Sequence, residues 1–183
     1  MSRKALLERK TRETDVKVRL ELEGSGQAKI LMDDPFLTHM LNSLAKYASF
    51  DMEIRAKGDN EHHLIEDVAI VLGMALREAI GERPIERMAS ATVPMDDALV
   101  TVAIDLIDRP YVDIECPDPN YHHFLRSFAM SSGMTLHVVA VKGFDEHHLV
   151  EATIKALGKA LMIAVQRRDA PLSTKSKPAV RKG

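Results

Sequence analysis

The sequence has no tryptophan, few aromatic residues and only one cysteine. Because Cys116 has no partner thiol in the chain, no intrachain disulfide can form, which favours a cytosolic setting. No stretch approaches the ~20 consecutive apolar residues that a membrane-spanning helix requires. Residues 1–15 carry too many charges for a signal peptide. We therefore expect a cytoplasmic globular protein without a membrane partner.

Charge is nearly balanced over the whole chain but is unevenly distributed. The net charge is −2, whereas residues 167–183 carry six basic side chains and one aspartate. Such a tail is usually a solvated, frayed terminus, and the alternative is a clasp for an anionic small molecule. The acidic remainder has no basic patch with interleaved aromatic residues, so we expect no nucleic-acid partner.

The chain contains an internal duplication. At an offset of 84 positions, residues 18–30 match residues 102–114, and both alternate like half-buried strands. A helix that starts at a proline and a further strand match at the same offset. After one inserted residue, GDNEHHLIEDVAIVLGMAL at 58–76 matches GFDEHHLVEATIKALGKAL at 143–161. Each half therefore has the predicted order β-β-α-β-α.

Neither half can bury a substantial core alone, because each offers only a few strands and two helices. Packing the helix-bearing faces of two sheets together would give one pseudo-symmetric α+β domain. We predict this single domain for residues 1–183, with repeats at about 14–82 and 98–167. Residues 168–183 would form the basic C-terminal tail.

The motif His-His-x-x-Glu occurs in both halves, although the chain has only eight histidines. Asn60 and Asp145 directly precede the two copies and are good N-caps, which places each motif in the first turn of a long helix. The first histidine and the glutamate share a helix face, whereas the second histidine points about 100° away. The positive end of the helix dipole disfavours imidazolium, so we expect neutral rings that can bind a metal.

Two cations, each with ligands from different helices, would satisfy this geometry. Adding His39 and His137 would provide four protein ligands for each of two metals, although a single histidine is more often a core or surface residue. Exposed histidines without a function are the alternative reading of the motif. Ligands of histidine and carboxylate without thiolate suit manganese, iron, cobalt, nickel or zinc.

Short motifs occur along the chain in this order: FLTHML, EHHLIEDV, PMDDAL, DRPY, TLHV, EHHLVEATIKALGKAL and LSTK. In these motifs the sequence resembles the imidazoleglycerol-phosphate dehydratase family over essentially its whole length. The resemblance implies a di-manganese lyase of histidine biosynthesis with a duplicated fold of the ribosomal protein S5 domain 2-like type. It also implies a homo-oligomer, in which trimers assemble into a 24-subunit particle with metal sites shared between subunits.

The same resemblance implies roles for individual residues. Two Mn²⁺ ions per active site, or other divalent transition metals, would be bound by His39, His62, His63, Glu66, His137, His147, His148 and Glu151. Catalytic positions would be Glu13, Asp96, Glu151 and Lys155. The substrate phosphate would be bound by Arg87, Arg109, Ser173 and Lys175, with the tail closing over it. Judged singly, the basic residues could instead be surface ion-pair partners or solvated side chains.

The implied reaction removes water from imidazole glycerol phosphate and gives imidazole acetol phosphate. No carbonyl acidifies the proton to be lost, so two metals at the ring nitrogens would stabilise an imidazolate whose electrons expel the hydroxyl group. The alternative is a diverged, non-catalytic paralogue that keeps the two-metal shell for assembly. Thr38 and Ser43, which replace the family's usual aspartate and glutamine, motivate that alternative.

Two histidines remain without an assigned role. We expect surface positions for His122 and His123. His123 is also the repeat partner of His39, so an accessory metal contact is the alternative.

Overall fold

The computed structural model describes residues 3–172, which form two four-stranded sheets and four helices. The first half forms β1 (Lys4–Lys10), β2 (Thr14–Glu21), β3 (Ala28–Leu31), α1 (Pro35–Ala48), β4 (Asp51–Gly58) and α2 (Glu61–Ile80). The second half forms β5 (Met88–Met95), β6 (Ala98–Asp105), β7 (Tyr111–Ile114), α3 (Pro119–Ser132), β8 (Thr135–Lys142) and α4 (Glu146–Ala164). The predicted duplicated α+β architecture is confirmed. None of the helices in this part of the chain is long and apolar enough to cross a membrane.

Each half also contains a strand that the sequence pattern did not predict. β1 and β5 precede the β-β-α-β-α order and lie at the edges of their sheets. The apolar pattern of these strands is weak, because β1 fully buries only Ala5 and β5 only Val93. Pro94 in β5 is also typical of an edge strand, since its missing N–H group is tolerated there.

The two sheets have the same topology. In the first, the order is β1-β2-β4-β3, with β3 and β4 parallel and the other pairs antiparallel. The second sheet has the equivalent order β5-β6-β8-β7. A parallel pair needs a crossover connection, which α1 and α3 provide. Each of these helices starts at a proline that follows an aspartate N-cap, Asp34 or Asp118.

Alternate residues of the central strands form the inner face of each sheet. Val16 and Val18 of β2 are fully buried, while the charged residues between them are exposed. Val100 and Val102 of β6 repeat this arrangement in the second sheet. Each buried side chain of this size contributes about 1.5–3 kcal/mol of transfer free energy. A slip of one residue in register would turn the buried set outwards, so this pattern fixes the strand pairing.

The helices of one half pack against the helices of the other half. α2 lies along α3, and α4 lies along α1. A Cβ atom on Gly73 would lie only 2.6 Å from the carbonyl oxygen of Phe128 on α3. A Cβ atom on Gly158 would lie 2.8 Å from the Cβ atom of Tyr47 on α1. These two glycines are repeat partners, so a glycine at the equivalent position lets each long helix approach the short helix of the opposite half.

Candidate metal centre

The two long helices begin directly before the repeated histidines, as predicted. The Asn60 side chain accepts a hydrogen bond from the backbone N–H group of His63 at 2.9 Å. The Asp145 side chain accepts one from the backbone of His148 at 3.2 Å. Each motif therefore occupies a first helical turn. Because each long helix packs on a short helix of the other half, its histidines meet residues of that half.

The first cluster joins α1 with α4 and consists of His39, His147 and Glu151; we call it the first centre. Glu151 Oε2 lies 3.4 Å from His39 Nε2 and 3.3 Å from His147 Nε2. Glu151 is buried, whereas about half of each imidazole side chain is exposed. The carboxylate of Glu151 therefore lies at the buried side of the first centre, and the two imidazoles lie at the side that faces solvent.

Lys155 lies one helical turn after Glu151 and controls the charge of that carboxylate. Burial alone would raise the pKa of Glu151, but the Lys155 ammonium group 2.8 Å away and the nearby His39 hold the pKa below its usual range. The ammonium group also lies 5.7 Å from the centre of the Tyr47 ring, on the opposite helix. Glu151 therefore stays ionised, as a metal ligand must be.

The second cluster joins α2 with α3 and consists of His62, Glu66 and His123; we call it the second centre. Glu66 Oε1 lies 3.1 Å from His123 Nε2, and the rings of His62 and His123 have centroids 4.9 Å apart. Only 27% of the His123 side chain is exposed. His123 is thus half-buried, and its ring faces Glu66 and His62, which corresponds to the alternative of an accessory metal contact. Its place in the second centre is that of its repeat partner, His39, in the first.

His63 lies beside two carboxylates at the start of α2. Its Nδ1 atom is 2.8 Å from Asp59 Oδ1 and 3.8 Å from Glu13 Oε2, in the turn between β1 and β2. The hydrogen bond to Asp59, with Glu13 behind it, raises the pKa of His63. The carboxylates therefore act on the pKa of His63 in the direction opposite to the helix dipole.

His148 has the equivalent surroundings at the start of α4. Its Nδ1 atom lies 2.6 Å from Asp97 Oδ1, and its Nε2 atom lies 3.4 Å from Asp96 Oδ2. The hydrogen bond to Asp97 raises the pKa of His148. In return, His148 and the backbone N–H groups of Phe144 and Asp145 hold the pKa of Asp97 well below its usual range.

Asp59 and Asp97 are functional candidates that the sequence analysis missed. Each accepts a hydrogen bond from a histidine Nδ1 atom, which leaves the Nε2 atom of that ring as the one that can bind a metal. Asp97 could have been found from the duplication, because it is the repeat partner of Glu13. Asp59 could have been found from its position four residues before His63. Neither signal identifies the hydrogen bond without the fold.

The structure does not bring His137 to either centre. Its neighbours Leu136 and Val138 are buried against the helices, so His137 faces the opposite side of the second sheet. There its Nδ1 atom lies 4.0 Å from Asp113 Oδ2, and its ring contacts Tyr111. Among residues 3–172, His137 belongs to none of the histidine–carboxylate clusters.

The residues predicted to bind phosphate lie apart from these clusters or outside the described residues. Arg87 Nε pairs with Asp105 Oδ1 at 2.7 Å, and the same guanidinium donates to the carbonyl oxygen of Leu172 at 3.0 Å. Arg109 is exposed in the loop between β6 and β7. Ser173 and Lys175 lie outside the described residues.

The donor atoms of both centres fit a divalent transition metal. In each centre, one ligand atom from each of the three residues lies within 4.8 Å of the other two. Ligands of one ion with bonds of ~2.1 Å can be up to ~4.2 Å apart, so small side-chain rotations would bring all three onto one ion. Two imidazoles with one carboxylate, and no thiolate, suit manganese, iron, cobalt, nickel or zinc.

Comparison with known proteins gives a consistent result. The family model of imidazoleglycerol-phosphate dehydratase matches residues 33–161. The chain is 45% identical over 173 residues to the imidazoleglycerol-phosphate dehydratase of Bacillus licheniformis, which covers 87% of this chain and 89% of the relative. It is 45% identical over 190 residues to that of Methanothermobacter thermautotrophicus, which covers 96% of this chain and 97% of the relative.

Solved structures extend the similarity to the fold. The structure of imidazoleglycerol-phosphate dehydratase (IGPD) from Pyrococcus furiosus in complex with (S)-C348 is similar with a TM-score of 0.82 at 37% identity, over 92% of this chain and 98% of that chain. The enzyme from Staphylococcus aureus gives a TM-score of 0.79 at 26% identity, over 90% and 99%. The chain therefore belongs to the imidazoleglycerol-phosphate dehydratase family and is an enzyme of the hydro-lyase class.

Proposed function

We propose that this chain is a metal-dependent lyase that dehydrates D-erythro-imidazole glycerol phosphate to imidazole acetol phosphate in histidine biosynthesis. The observation that carries the proposal is the pair of centres, in each of which a glutamate lies between imidazoles from two helices. Family members of this name match the chain over almost its whole length. Each active site would contain two Mn²⁺ ions or another divalent transition metal.

The two centres account for five of the eight predicted ligands. The other three belong to neither centre of their own subunit within residues 3–172: His63, His137 and His148. His137 faces the far side of the second sheet, so it would meet a cation only at a neighbouring subunit. We therefore propose that the active sites are shared between subunits of a homo-oligomer. Trimers that assemble into a 24-subunit particle are the arrangement that the family resemblance implies.

The reaction removes hydroxide from the carbon attached to the imidazole ring and a proton from the next carbon, and the resulting enol becomes the ketone of the product. Two cations at the ring nitrogens, when bound, would supply positive charge that stabilises the ring as it loses its N–H proton. Glu13 lies in the turn between β1 and β2, next to His63, and Asp96 lies in the turn between β5 and β6, next to His148. We assign the proton transfers at the substrate side chain to Glu13, assisted by Asp96.

Other residues prepare the centres for this chemistry. Lys155 keeps Glu151 ionised, and its position beside the first centre also suits contact with the substrate. Asp59 and Asp97 hold the Nδ1–H tautomers of their histidines and so leave both Nε2 atoms able to bind a cation. These hydrogen bonds fix the ring orientations before a substrate arrives.

The substrate phosphate would be bound by arginines of the second half together with residues of the C-terminal tail. Arg109 is exposed and free of the helical core. Arg87 holds the carbonyl group of Leu172, the residue before Ser173. We propose that Arg109, Ser173 and Lys175 bind the phosphate, and that Arg87 joins them by directing the start of the tail towards it.

The proposal is tested by measuring imidazole acetol phosphate formation with the purified, Mn²⁺-loaded chain, before and after chelation. We expect formation with Mn²⁺, loss after chelation and recovery when Mn²⁺ is returned. Glu151→Gln should lower kcat/KM by about a hundredfold or more, because it removes a charged ligand. Glu78→Gln, on the exposed face of α2, is the matched control and should keep full activity. Assembly with Mn²⁺ but without any product would contradict the proposal and favour a non-catalytic paralogue.

The biological setting has its own test. Expression of the chain should restore growth of a histidine auxotroph that lacks this dehydratase step. We also propose a cytoplasmic location, where the free thiol of Cys116 would remain reduced. Growth that still requires histidine, although the purified chain is active, would remove the assignment to histidine biosynthesis.

A further inference from the structure

The second centre contains a histidine that the family resemblance does not include among the metal ligands. His123 is the repeat partner of His39. In the first centre, His39 Nε2 lies 3.4 Å from Glu151, and in the second, His123 Nε2 lies 3.1 Å from Glu66. The short helix of each half thus presents an imidazole to the glutamate of the opposite half.

The Nε2 atom of His123 has no hydrogen-bond partner among residues 3–172, although it is buried. Glu66 is close enough for a hydrogen bond but is not aligned for one. A buried polar nitrogen without a partner costs about 1–3 kcal/mol. A cation between His123 and Glu66 would remove this cost, because the lone pair of a neutral imidazole would bind it.

His62, the third member of the second centre, also has a ring nitrogen that can bind a cation. His62 Nδ1 lies 3.4 Å from Asn120 Oδ1, a position from which a protonated Nδ1 atom would donate to the amide oxygen. The other nitrogen of His62 then keeps its lone pair. Asn120 and His123 both belong to α3, which therefore both orients His62 and supplies an imidazole of its own.

From these contacts we infer that His123 is a direct ligand of the second cation. The inference rests on the proposed function and adds one ligand to the implied set. Each subunit then builds two equivalent three-donor centres, His39–His147–Glu151 and His62–Glu66–His123, before any neighbour contributes.

The test compares Mn²⁺ binding by the full-length wild type with binding by His123→Ala, His123→Gln and His122→Ala. Chelator competition and elemental analysis would give the affinity and number of bound ions. In His123→Ala, we expect the affinity of one of the two ions to fall about tenfold or more. His122 is the neighbouring histidine on α3 and is partly exposed, so His122→Ala should bind both ions like the wild type.

The glutamine variant separates a ligand from a residue that merely positions Glu66. A glutamine amide can donate a hydrogen bond to the carboxylate but is a poor replacement for imidazole at a transition metal. We expect His123→Gln to bind the second Mn²⁺ as weakly as His123→Ala. Pulsed electron paramagnetic resonance should also show one directly bound imidazole nitrogen fewer at that ion. Recovery of affinity in His123→Gln would overturn the inference.

The stability of the metal-free protein provides a check on folding. Metal-free His123→Ala should keep a cooperative urea transition, because His123 Nε2 has no hydrogen bond to lose and only the ring contacts with His62 and Glu66 are removed. The stabilisation by added Mn²⁺ should become smaller. Two ions bound with unchanged affinity in His123→Ala would refute this inference alone. A wild type that binds no metal would instead refute the proposed function.

Discussion

At the scale of single residues, the two second histidines of the motif depend on carboxylates from different places. His63 is held by Asp59, which precedes it by one helical turn. His148 is held by Asp97, which comes from the turn between β5 and β6 and is distant in sequence. The two halves therefore reach the same imidazole geometry by different routes. In the first half the carboxylate is close to the histidine in sequence, and in the second half the tertiary fold brings the carboxylate to the histidine.

Asp97→Asn tests this arrangement. An asparagine oxygen can still accept hydrogen bonds from the backbone of Phe144 and Asp145, but it is not a charged partner for His148. We expect α4 to keep its starting point, while the affinity for one Mn²⁺ falls about tenfold. Chelator competition measures the affinity, and Asp15→Asn on the exposed face of β2 is the control. An unchanged affinity would show that Asp97 does no more than cap the helix.

A second residue-scale prediction concerns Asp51, which lies away from the centres. Its Oδ1 atom accepts hydrogen bonds from the backbone of Gln27 at 2.9 Å and of Ser25 at 2.8 Å, which hold the pKa of Asp51 below its usual range. The folded-state pKa is lowered, so this contribution is fully present above about pH 4 and is lost as the pH falls through the folded value.

Asp51→Asn should therefore lower the free energy of unfolding by about 1 kcal/mol at pH 7, and the difference from the wild type should shrink below about pH 4. Urea unfolding of the metal-free protein, followed by circular dichroism at several pH values, measures both numbers. A difference that stays constant down to pH 3 would show that the carboxylate charge is not its source.

At the scale of helices and strands, the centres depend on how closely the long and short helices approach. Gly158 places α4 against α1, and Gly73 places α2 against α3. The first contact sets the distance between His39 and Glu151, and the second sets the distance between His123 and Glu66. A change in either helix contact should therefore reach only one of the two centres.

Gly158→Ala should push α4 away from α1, because the new Cβ atom would lie 2.8 Å from Tyr47 Cβ and 3.1 Å from the backbone nitrogen of Ala48. We expect a loss of about 1–3 kcal/mol in stability and weaker Mn²⁺ binding at the first centre. Gly73→Ala should have the same effect on the second centre. Unfolding curves and separate affinities for the two ions would measure this. Equal weakening of both ions in each variant would contradict independent helix contacts.

The elements were predictable where a residue pattern records burial. The motifs after Asn60 and Asp145 predict both long helices, and the alternation of apolar and polar residues in β2 and β6 predicts the central strands. The edge strands β1 and β5 were not predictable, because a strand that fully buries a single residue has only a weak apolar pattern. The contacts of His123 were not predictable for a similar reason: they come from α2, which lies far away in sequence.

At the scale of the whole molecule, His137 shows that the fold of one chain does not bring the predicted ligands together. It lies on the sheet face away from the helices, whereas both centres lie among the helix starts. The predicted ligands can therefore converge only if subunits meet across this sheet face. Metal binding and assembly would then be coupled, because each ion would bridge subunits.

His137→Ala tests this coupling. The substitution touches no buried residue, so the stability of the metal-free chain should stay within about 0.5 kcal/mol of the wild type. We expect weaker Mn²⁺ binding and a smaller particle at equal Mn²⁺ concentration, both measured on the same sample by elemental analysis and light scattering. Glu53→Ala, at the repeat-equivalent position on β4, is the control. A particle of unchanged mass and metal content would rule out a bridging role for His137.

The exchange of helix partners between the halves bears on the ancestry of the chain. A single repeat supplies the short helix of one centre and the long helix of the other, so it contains no complete centre. An ancestor of half this length would have needed two copies, paired around a twofold axis, to assemble either three-residue centre. Gene fusion would have made that association permanent, and only then could the two copies diverge, as Glu53 and His137 have done.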